Sequence, residues 1–169
     1  IRFEETDVRP MGRTAYGVRG ITLREGDEVV AMDVIRSGGM MLTVTENGYG
    51  KRTDVDEYRV QSRGGVGIIN IQTSERNGLV AGVAHVSADD ELMLVTEQGK
   101  ILRTSVSGIR ETGRNAQGVR LMQIEFTEGD RVVSVARFAE KSEDATEDAA
   151  AGTSPGPGDT PGADHEPPD

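Results

Sequence analysis

The chain has 169 residues, a formal net charge of −10 and no cysteine, so disulfides and thiolate metal sites are excluded. No apolar run approaches the roughly 20 residues needed to cross a bilayer, and the first residues lack the apolar segment of a secretion signal. We therefore expect a cytoplasmic protein that does not bind membranes. Residue 1 is Ile, inside a repeat that has already begun, which indicates a segment of a longer chain.

The negative charge is concentrated at the C-terminal end. Residues 139–169 contain nine acidic residues, one basic residue (Lys141) and five of the six prolines, whereas residues 1–138 contain 18 basic and 20 acidic residues. An acidic, Gly- and Pro-rich stretch without aromatic residues buries too little apolar surface to offset the entropy lost on ordering. The sequence therefore predicts a folded domain over residues 1–138 and a disordered acidic tail over residues 139–169.

Residues 1–138 contain a repeat of about 50 residues. Three segments align, GRTAYGVRGITL, SRGGVGIINI and GRNAQGVRLMQI, and each has an Arg four residues before a Gly. A second element, MLTVTENGYGKRT, returns as LMLVTEQGKILRT 51 residues later. In each copy, a second arginine lies 11 residues before the arginine that precedes the glycine. Two sets of repeated arginines result, with spacings of 50 or 51 residues: Arg13, Arg63 and Arg114, and Arg2, Arg52 and Arg103.

Each period has the composition of β-strands. VRGITL, EVVAMDVI, MMLTVT and YGKRT are rich in Val, Ile and Thr and are bounded by Gly, Asn and Asp. Asn47-Gly48, and Gln98-Gly99 in the next copy, supply the positive φ angles of a tight hairpin turn. About four short strands per period, without a long helical pattern, predict an all-β fold built of propeller-like blades, about three repeats in all.

The strings DVRPMGRTAYGVRGI, SERNGLVAG and GRNAQGV resemble the C-terminal domain of the DNA gyrase A family, and the resemblance covers residues 1 to about 138. It implies a β-pinwheel, a six-bladed propeller-like fold that exchanges strands between neighbouring blades, of which this chain would hold the last two to three. The family carries a box, QRRGGKG, normally in the first blade. The sequence departs from that box at Ser62 and Val66, so the matching positions are read as a degenerate counterpart: Gln61, Arg63, Gly64, Gly65 and Gly67.

The resemblance also implies a function. The chain would bind and wrap double-stranded DNA in a type IIA topoisomerase that introduces negative supercoils, with ATP and magnesium used by the gyrase B protein of an A2B2 complex at the bacterial nucleoid. No catalytic residue, metal or cofactor is expected in this segment. The alternatives are the C-terminal domain of the corresponding topoisomerase IV protein and a protein-interaction propeller without a DNA role, because one fold supports many functions. An aromatic content of only 4% favours DNA over a protein partner.

Arginine is the expected contact residue for DNA, because its planar guanidinium pairs with phosphate oxygens. Both repeated sets are candidates, Arg13, Arg63 and Arg114 before the glycine turns and Arg2, Arg52 and Arg103 at the strand ends. Ion pairs between blades are the alternative role for each of them. The acidic tail has the same sign of charge as DNA, and we hypothesise that it either restrains wrapping or only keeps the chain soluble.

Other reactive side chains are assigned structural roles. Tyr16, Tyr49 and Tyr58 are expected in core or hairpin packing, and His85 in an apolar strand. The acidic run from Asp89 to Glu91 lacks the spacing of a calcium-binding loop and is expected in a solvated turn.

Overall fold

The computed structural model describes residues 1–124 and 129–138, and within them the regular structure is β apart from three short 3-10 helices. The 3-10 helices span Glu5–Asp7, Val55–Glu57 and Val106–Gly108. The predicted disordered tail, residues 139–169, lies outside the described residues. The strands are β1 (Met40–Thr45), β2 (Tyr49–Asp54), β3 (Val80–Val86), β4 (Glu91–Thr96), β5 (Ile101–Ser105), β6 (Val119–Arg120) and β7 (Val132–Phe138).

Two hairpins form the centres of the two sheets. β1 pairs antiparallel with β2, and β4 pairs with β5 in the same way. Each turn contains a glycine in the left-handed region, Gly48 at φ +75° and Gly99 at φ +83°. Only glycine adopts that conformation without steric cost, so both predicted hairpin turns are confirmed.

Each hairpin is completed by a strand from later in the chain. β3 pairs antiparallel with β1, and β7 pairs antiparallel with β4. Both pairings have an irregularity at the same repeat position, between Val44 and Thr45 and between Val95 and Thr96. β6, from the following repeat, adds to β2 with Gly50 opposite Val119. The sheet orders are therefore β3-β1-β2-β6 and β5-β4-β7.

The two sheets share one hydrophobic core. Leu42 and Val44 of β1 are fully buried, as are Leu92 and Leu94 of β4. β3 lies against β7, so closely that a Cβ on Gly82 would come within 2.8 Å of a Val135 methyl group. Full burial of each aliphatic side chain contributes about 1.5–3 kcal/mol. The 3-10 helix Val106–Gly108 adds to the same core through Val106 and, just after it, Ile109.

Two of the predicted strand segments are not strands in this structure. Residues 18–23 and 28–35 have no regular secondary structure. In the repeat register residues 29–35 correspond to β3 and β7, which pair with β1 and β4. No hairpin occupies the equivalent position beside residues 29–35 in the described part of the chain. A strand needs a hydrogen-bonded neighbour, so β-propensity alone does not form one, and apolar side chains stay exposed: Val29, Val30, Met32 and Val34.

The predicted packing roles hold for Tyr49, Tyr58 and His85 but not for Tyr16. Tyr49 is buried on β2, and Tyr58 is half-buried with its hydroxyl bonded to Asn70, which confirms their packing roles. Burial raises the pKa of Tyr58 above its usual value. Tyr16 is fully exposed, so its predicted packing role is wrong, because in the described part of the chain no sheet forms around it. His85 is buried in β3 with Nε2 at 2.8 Å from the Gly38 carbonyl oxygen, a structural position as predicted.

The acidic run from Asp89 to Glu91 forms a turn that leads into β4, whose first residue is Glu91. Asp89 is exposed as expected, but Asp90 is buried, so the predicted solvated turn is wrong for Asp90. The Asp90 carboxylate accepts a hydrogen bond of 2.8 Å from the Ser87 amide and lies 3.7 Å from the Arg137 guanidinium. Across residues 1–124 and 129–138 no group of three or more His, Asp or Glu side chains has the arrangement of a metal site. No helix among those residues has the length and apolar character of a membrane span.

Candidate nucleic-acid interface

Arg2 and Arg52 each contact carbonyls of a 3-10 turn in the next repeat, and one of the carbonyls is at the equivalent position, Tyr58 and Ile109. Arg2 Nη1 donates to the carbonyl oxygens of Val55 (2.7 Å) and Tyr58 (3.2 Å). Arg52 donates from Nε to the Ile109 carbonyl (2.7 Å) and from Nη2 to the Ser107 carbonyl (3.4 Å). Each arginine thus binds the 3-10 turn that lies about 50 residues later in the chain. These two side chains join consecutive repeats.

Arg103 occupies the same repeat position with a different partner. Its Nε donates to Glu91 Oε2 at 2.8 Å, and its Nη2 contacts the same oxygen. This pair lies within the β4–β5 hairpin, where Glu91 opposes Ser105. Arg103 is also more exposed than Arg2, so its contact is a local, surface ion pair.

The second arginine set also spans the repeats. Arg63 Nη1 donates to the Arg19 carbonyl, and Arg114 Nη1 donates to the Ile69 carbonyl at 2.8 Å. Arg19 and Ile69 hold equivalent positions, two residues after the repeated glycine. Arg13 is exposed and has no side-chain hydrogen bond or ion pair within the described residues. The contacts between repeats are therefore mainly hydrogen bonds to carbonyls, and the ion pair expected as the alternative to a DNA contact is present at Arg2, whose Nη1 lies 3.7 Å from Asp56.

The degenerate box forms a loop docked on the preceding repeat. The Gly64 amide donates to the Gly20 carbonyl (2.8 Å), and the Thr22 hydroxyl donates back to the Gly64 carbonyl (2.6 Å). The Thr22 amide donates to the carbonyl of Gly65 (2.9 Å). Gly67 has φ +76°, and a Cβ there would lie 3.1 Å from the backbone nitrogen of Ile1. The glycines of this loop therefore permit close contact between repeats. Upstream of them the backbone N–H of Gln61 donates to the Arg2 carbonyl at 2.9 Å.

Lys51 is a feature that the sequence did not indicate. This β2 side chain is fully buried, and its Nζ donates to the Gly113 carbonyl at 2.7 Å. Burial lowers the pKa of Lys51 to about 8, with the charge of Glu57 opposing that shift and the charge of Arg114 adding to it. The contact fixes the turn that carries Arg114. The third copy of the repeat has Leu102 at this position, so the pattern offered no signal for a lysine contact.

A cluster of two arginines and a tyrosine lies where β6 meets β2. The Arg76 and Arg120 guanidinium carbons lie 4.8 and 5.6 Å from the centre of the Tyr49 ring. Arg120 Nη2 also bonds the Tyr49 hydroxyl at 3.0 Å. The hydrogen bonds from Arg120 and Arg76 lower the pKa of Tyr49 below its usual value. The available sequence signal was the Val-Arg pair that follows the repeated glycine in two copies, at Arg19 and Arg120.

Comparison with known proteins agrees with this arrangement of repeats. A sequence model of the family described as "DNA gyrase C-terminal domain, beta-propeller" matches three successive segments, residues 1–36, 39–87 and 90–139. The chain belongs to this family. Each of the last two segments contains one hairpin and the strand that completes it, which confirms the repeat register.

The relatives of this gyrase-type domain are longer proteins. The DNA gyrase A protein of Staphylococcus aureus (strain NCTC 8325 / PS 47) is 49% identical over 158 residues, which cover 91% of this chain and 17% of the relative. The protein of the same name from strain MRSA252 is also 49% identical, over 152 residues that cover 88% of this chain and 17% of the relative. The chain therefore spans about a sixth of the length of the curated relatives it matches.

Two solved structures share the fold. The structure of a DNA gyrase A C-terminal domain matches with a TM-score of 0.75 at 34% identity, covering 80% of this chain and 46% of that one. The C-terminal domain of a DNA topoisomerase IV matches with the same TM-score at 28% identity, covering 81% of this chain and 42% of that one. The β-propeller assignment is thereby confirmed. The sequence is more similar to the gyrase domain than to this topoisomerase IV domain.

Proposed function

We propose that this chain is the DNA-wrapping part of a DNA gyrase A protein. It binds double-stranded DNA along its blades and presents the bent duplex to the cleavage core of a type IIA topoisomerase, which introduces negative supercoils. In this proposal the gyrase B protein hydrolyses ATP with magnesium in an A2B2 complex in the bacterial cytoplasm. The chain itself contributes no catalytic residue.

The observation that carries the proposal is the threefold match to the gyrase domain, with arginines at equivalent places in successive repeats. A protein that neutralises phosphates releases counterions, and contacts at regular intervals along an arc favour a bent duplex. Arg13 is exposed and available for such a contact. Arg63 and Arg114 use part of their five N–H donors on carbonyls and retain their charge. Arg2, Arg52 and Arg103 are the second set of proposed contacts, and of these Arg103 is paired with Glu91 and Arg2 lies 3.7 Å from Asp56.

Topoisomerase IV remains the second candidate, because its C-terminal domain has the same TM-score as the gyrase domain. The 49% identity to the gyrase A protein of Staphylococcus aureus favours the gyrase assignment. A protein-interaction role has less support, since the exposed apolar residues of segment 29–34 are explained by its strand register.

The proposal is tested with a full-length gyrase A protein and a version that ends before residue 1, each assembled with the gyrase B protein. Without this chain, negative supercoiling and the long DNA footprint should be lost, while relaxation of supercoiled DNA is retained. A version lacking only residues 139–169 is the control and keeps supercoiling. Undiminished supercoiling without residues 1–138 would refute the proposal.

A further inference from the structure

A third set of arginines repeats through the chain. Each follows a 3-10 helix by two residues: Arg9 after Glu5–Asp7, Arg59 after Val55–Glu57 and Arg110 after Val106–Gly108. The spacings are 50 and 51 residues, and the residue before each arginine has an extended backbone. The local structure around this arginine is thus the same in all three repeats.

These three guanidinium groups have no partner among residues 1–124 and 129–138. Arg9, Arg59 and Arg110 are exposed, and none has a side-chain hydrogen bond or ion pair in the part of the chain that the structure describes. The arginines that join the repeats, such as Arg52 and Arg114, would have to leave their carbonyl partners to bind another group fully. For Arg52 this would leave the carbonyl of the buried Ile109 without its donor, at a cost of about 1–3 kcal/mol that Arg9, Arg59 and Arg110 would not incur.

The backbone that carries Arg59 and Arg110 is anchored to the preceding repeat. The Arg110 carbonyl accepts from the Arg52 amide (3.2 Å), and the Thr112 amide donates to the Arg52 carbonyl (2.8 Å). Parallel bridges at Val60 and Glu111 hold both copies in the same way. Ile109 is only 2% exposed, and successive side chains of an extended segment point to opposite sides, so Arg110 projects away from the core.

Neighbouring carboxylates are directed elsewhere. Glu57 Oε2 accepts from the Arg114 amide at 3.0 Å, and Asp56 lies 3.7 Å from Arg2. The charge of Arg59 is therefore not neutralised by a direct contact with either of them. A backbone anchored at Arg59 and Arg110, with a guanidinium at each of the three positions that has no partner among the described residues, is an arrangement prepared to bind an anion of repeating charge.

From this geometry we infer that Arg9, Arg59 and Arg110 bind DNA phosphates directly, one per repeat. The inference rests on the proposed function and names contact residues outside the two arginine sets that the sequence pattern had indicated. Arg63 and Arg114, four residues further along, then serve mainly to hold the repeats together beneath the duplex.

The test measures the affinity of the full-length gyrase A protein for a DNA duplex over a range of salt concentrations. Arg59→Gln combined with Arg110→Gln should reduce the slope of log affinity against log salt by about 1.8, since each phosphate contact contributes about 0.9. Adding Arg9→Gln should bring the loss to about 2.7. The matched control is Arg24→Gln with Arg36→Gln, which removes two exposed arginines outside the repeated set whose side chains have no partner among the described residues.

The inference is overturned if the Arg59/Arg110 double variant keeps the wild-type slope, or if the control loses as much. Arg59→Lys with Arg110→Lys preserves both charges and should preserve most of the slope. This rescue separates lost phosphate contacts from a disturbed fold. A gyrase A protein ending before residue 1 gives the remaining comparison. If its slope equals that of the wild type, the proposed function fails; if its slope falls while that of the double variant does not, only this inference fails.

Discussion

The two sheets are built from one repeat, yet their outer edges differ. In the first sheet β6 lies beside β2, and a Cβ on Gly118 would come within 2.7 Å of the Gly50 carbonyl oxygen. In the second sheet Ile101 stands where Gly50 does, and it is 64% exposed on β5. The inward-facing apolar residues that build the hairpins are shared. The residues that differ mark where another repeat packs.

The hairpin turns show the same principle at smaller scale. In the first sheet Asn47 Nδ2 donates to the Glu75 carbonyl (3.0 Å), with Gly78 packed against the Asn47 side chain. In the second sheet Gln98 and Asp130 hold these positions, and the Asp130 carboxylate accepts from the backbone N–H of Gln98 at 3.1 Å. Burial opposes ionisation of Asp130, but the hydrogen bonds that its carboxylate accepts and the positive charge of Lys100 lower the pKa of Asp130 overall. The side chain that makes the hydrogen bond is therefore on the turn in the first sheet, at Asn47, and on the facing loop in the second sheet, at Asp130.

The largest expected effect comes from closing the space between repeats. Gly118→Ala should destabilise the domain by about 3–4 kcal/mol, because it adds a clash with the Gly50 backbone to the strain of a positive φ. Gly99→Ala is the matched control: its φ of +83° is nearly the same as +82° at Gly118, but no atom of another described residue lies within 4 Å of its added Cβ. It should cost only about 1–2 kcal/mol.

Urea unfolding at equilibrium measures both changes. The difference between Gly118→Ala and Gly99→Ala isolates the contribution of the contact between repeats. Equal losses of stability would show that backbone strain at a positive φ accounts for the whole cost at both positions. The packing of β6 on β2 would then contribute nothing to the cost at Gly118.

Much of this fold follows from the sequence because its signals are local. The Asn47-Gly48 turn and the 51-residue return of its hairpin predict β1, β2, β4 and β5. Residues 28–35 could not be assigned in the same way, since their strand depends on a hairpin from elsewhere. The partners of the arginines could not be predicted from the sequence either. Position in the repeat identifies Arg52 and Arg103 as equivalent, but their partners depend on whether another 3-10 turn lies beside them.

Lys51 allows the contact between repeats to be tested by pH. Its pKa is lowered from 10.5 to about 8, so between these values the unfolded chain binds more protons than the folded one. Stability therefore rises with pH through this window, as the unfavourable buried charge is removed. From about pH 7.5 to about pH 9.5 this single group should add about 2 kcal/mol to the free energy of unfolding.

Lys51→Leu places the residue of the third copy, Leu102, into the second and should abolish this pH dependence. Lys100→Met is the control, because Lys100 is a partly exposed lysine whose loss should leave the dependence in place. Unfolding curves at the two pH values measure how much the free energy of unfolding of each variant changes with pH. A Lys51→Leu variant that still gains about 2 kcal/mol would mean that Lys51 keeps its charge in the folded state throughout.

The smallest expected effect compares the two equivalent arginines. Arg52→Gln should cost about 2 kcal/mol, because it leaves the Ile109 and Ser107 carbonyls without their donor and separates two repeats. Arg103→Gln should cost about 0.5 kcal/mol, since its pair with Glu91 is exposed and screened by solvent. Added salt should weaken the Arg103 contribution further and leave that of Arg52 nearly unchanged. If both substitutions cost the same and respond equally to salt, the side-chain contacts of Arg52 contribute no more than a surface ion pair. The junction between repeats is then held by its other contacts, such as the packing at Gly50 and Gly118 and the backbone hydrogen bonds of Arg52.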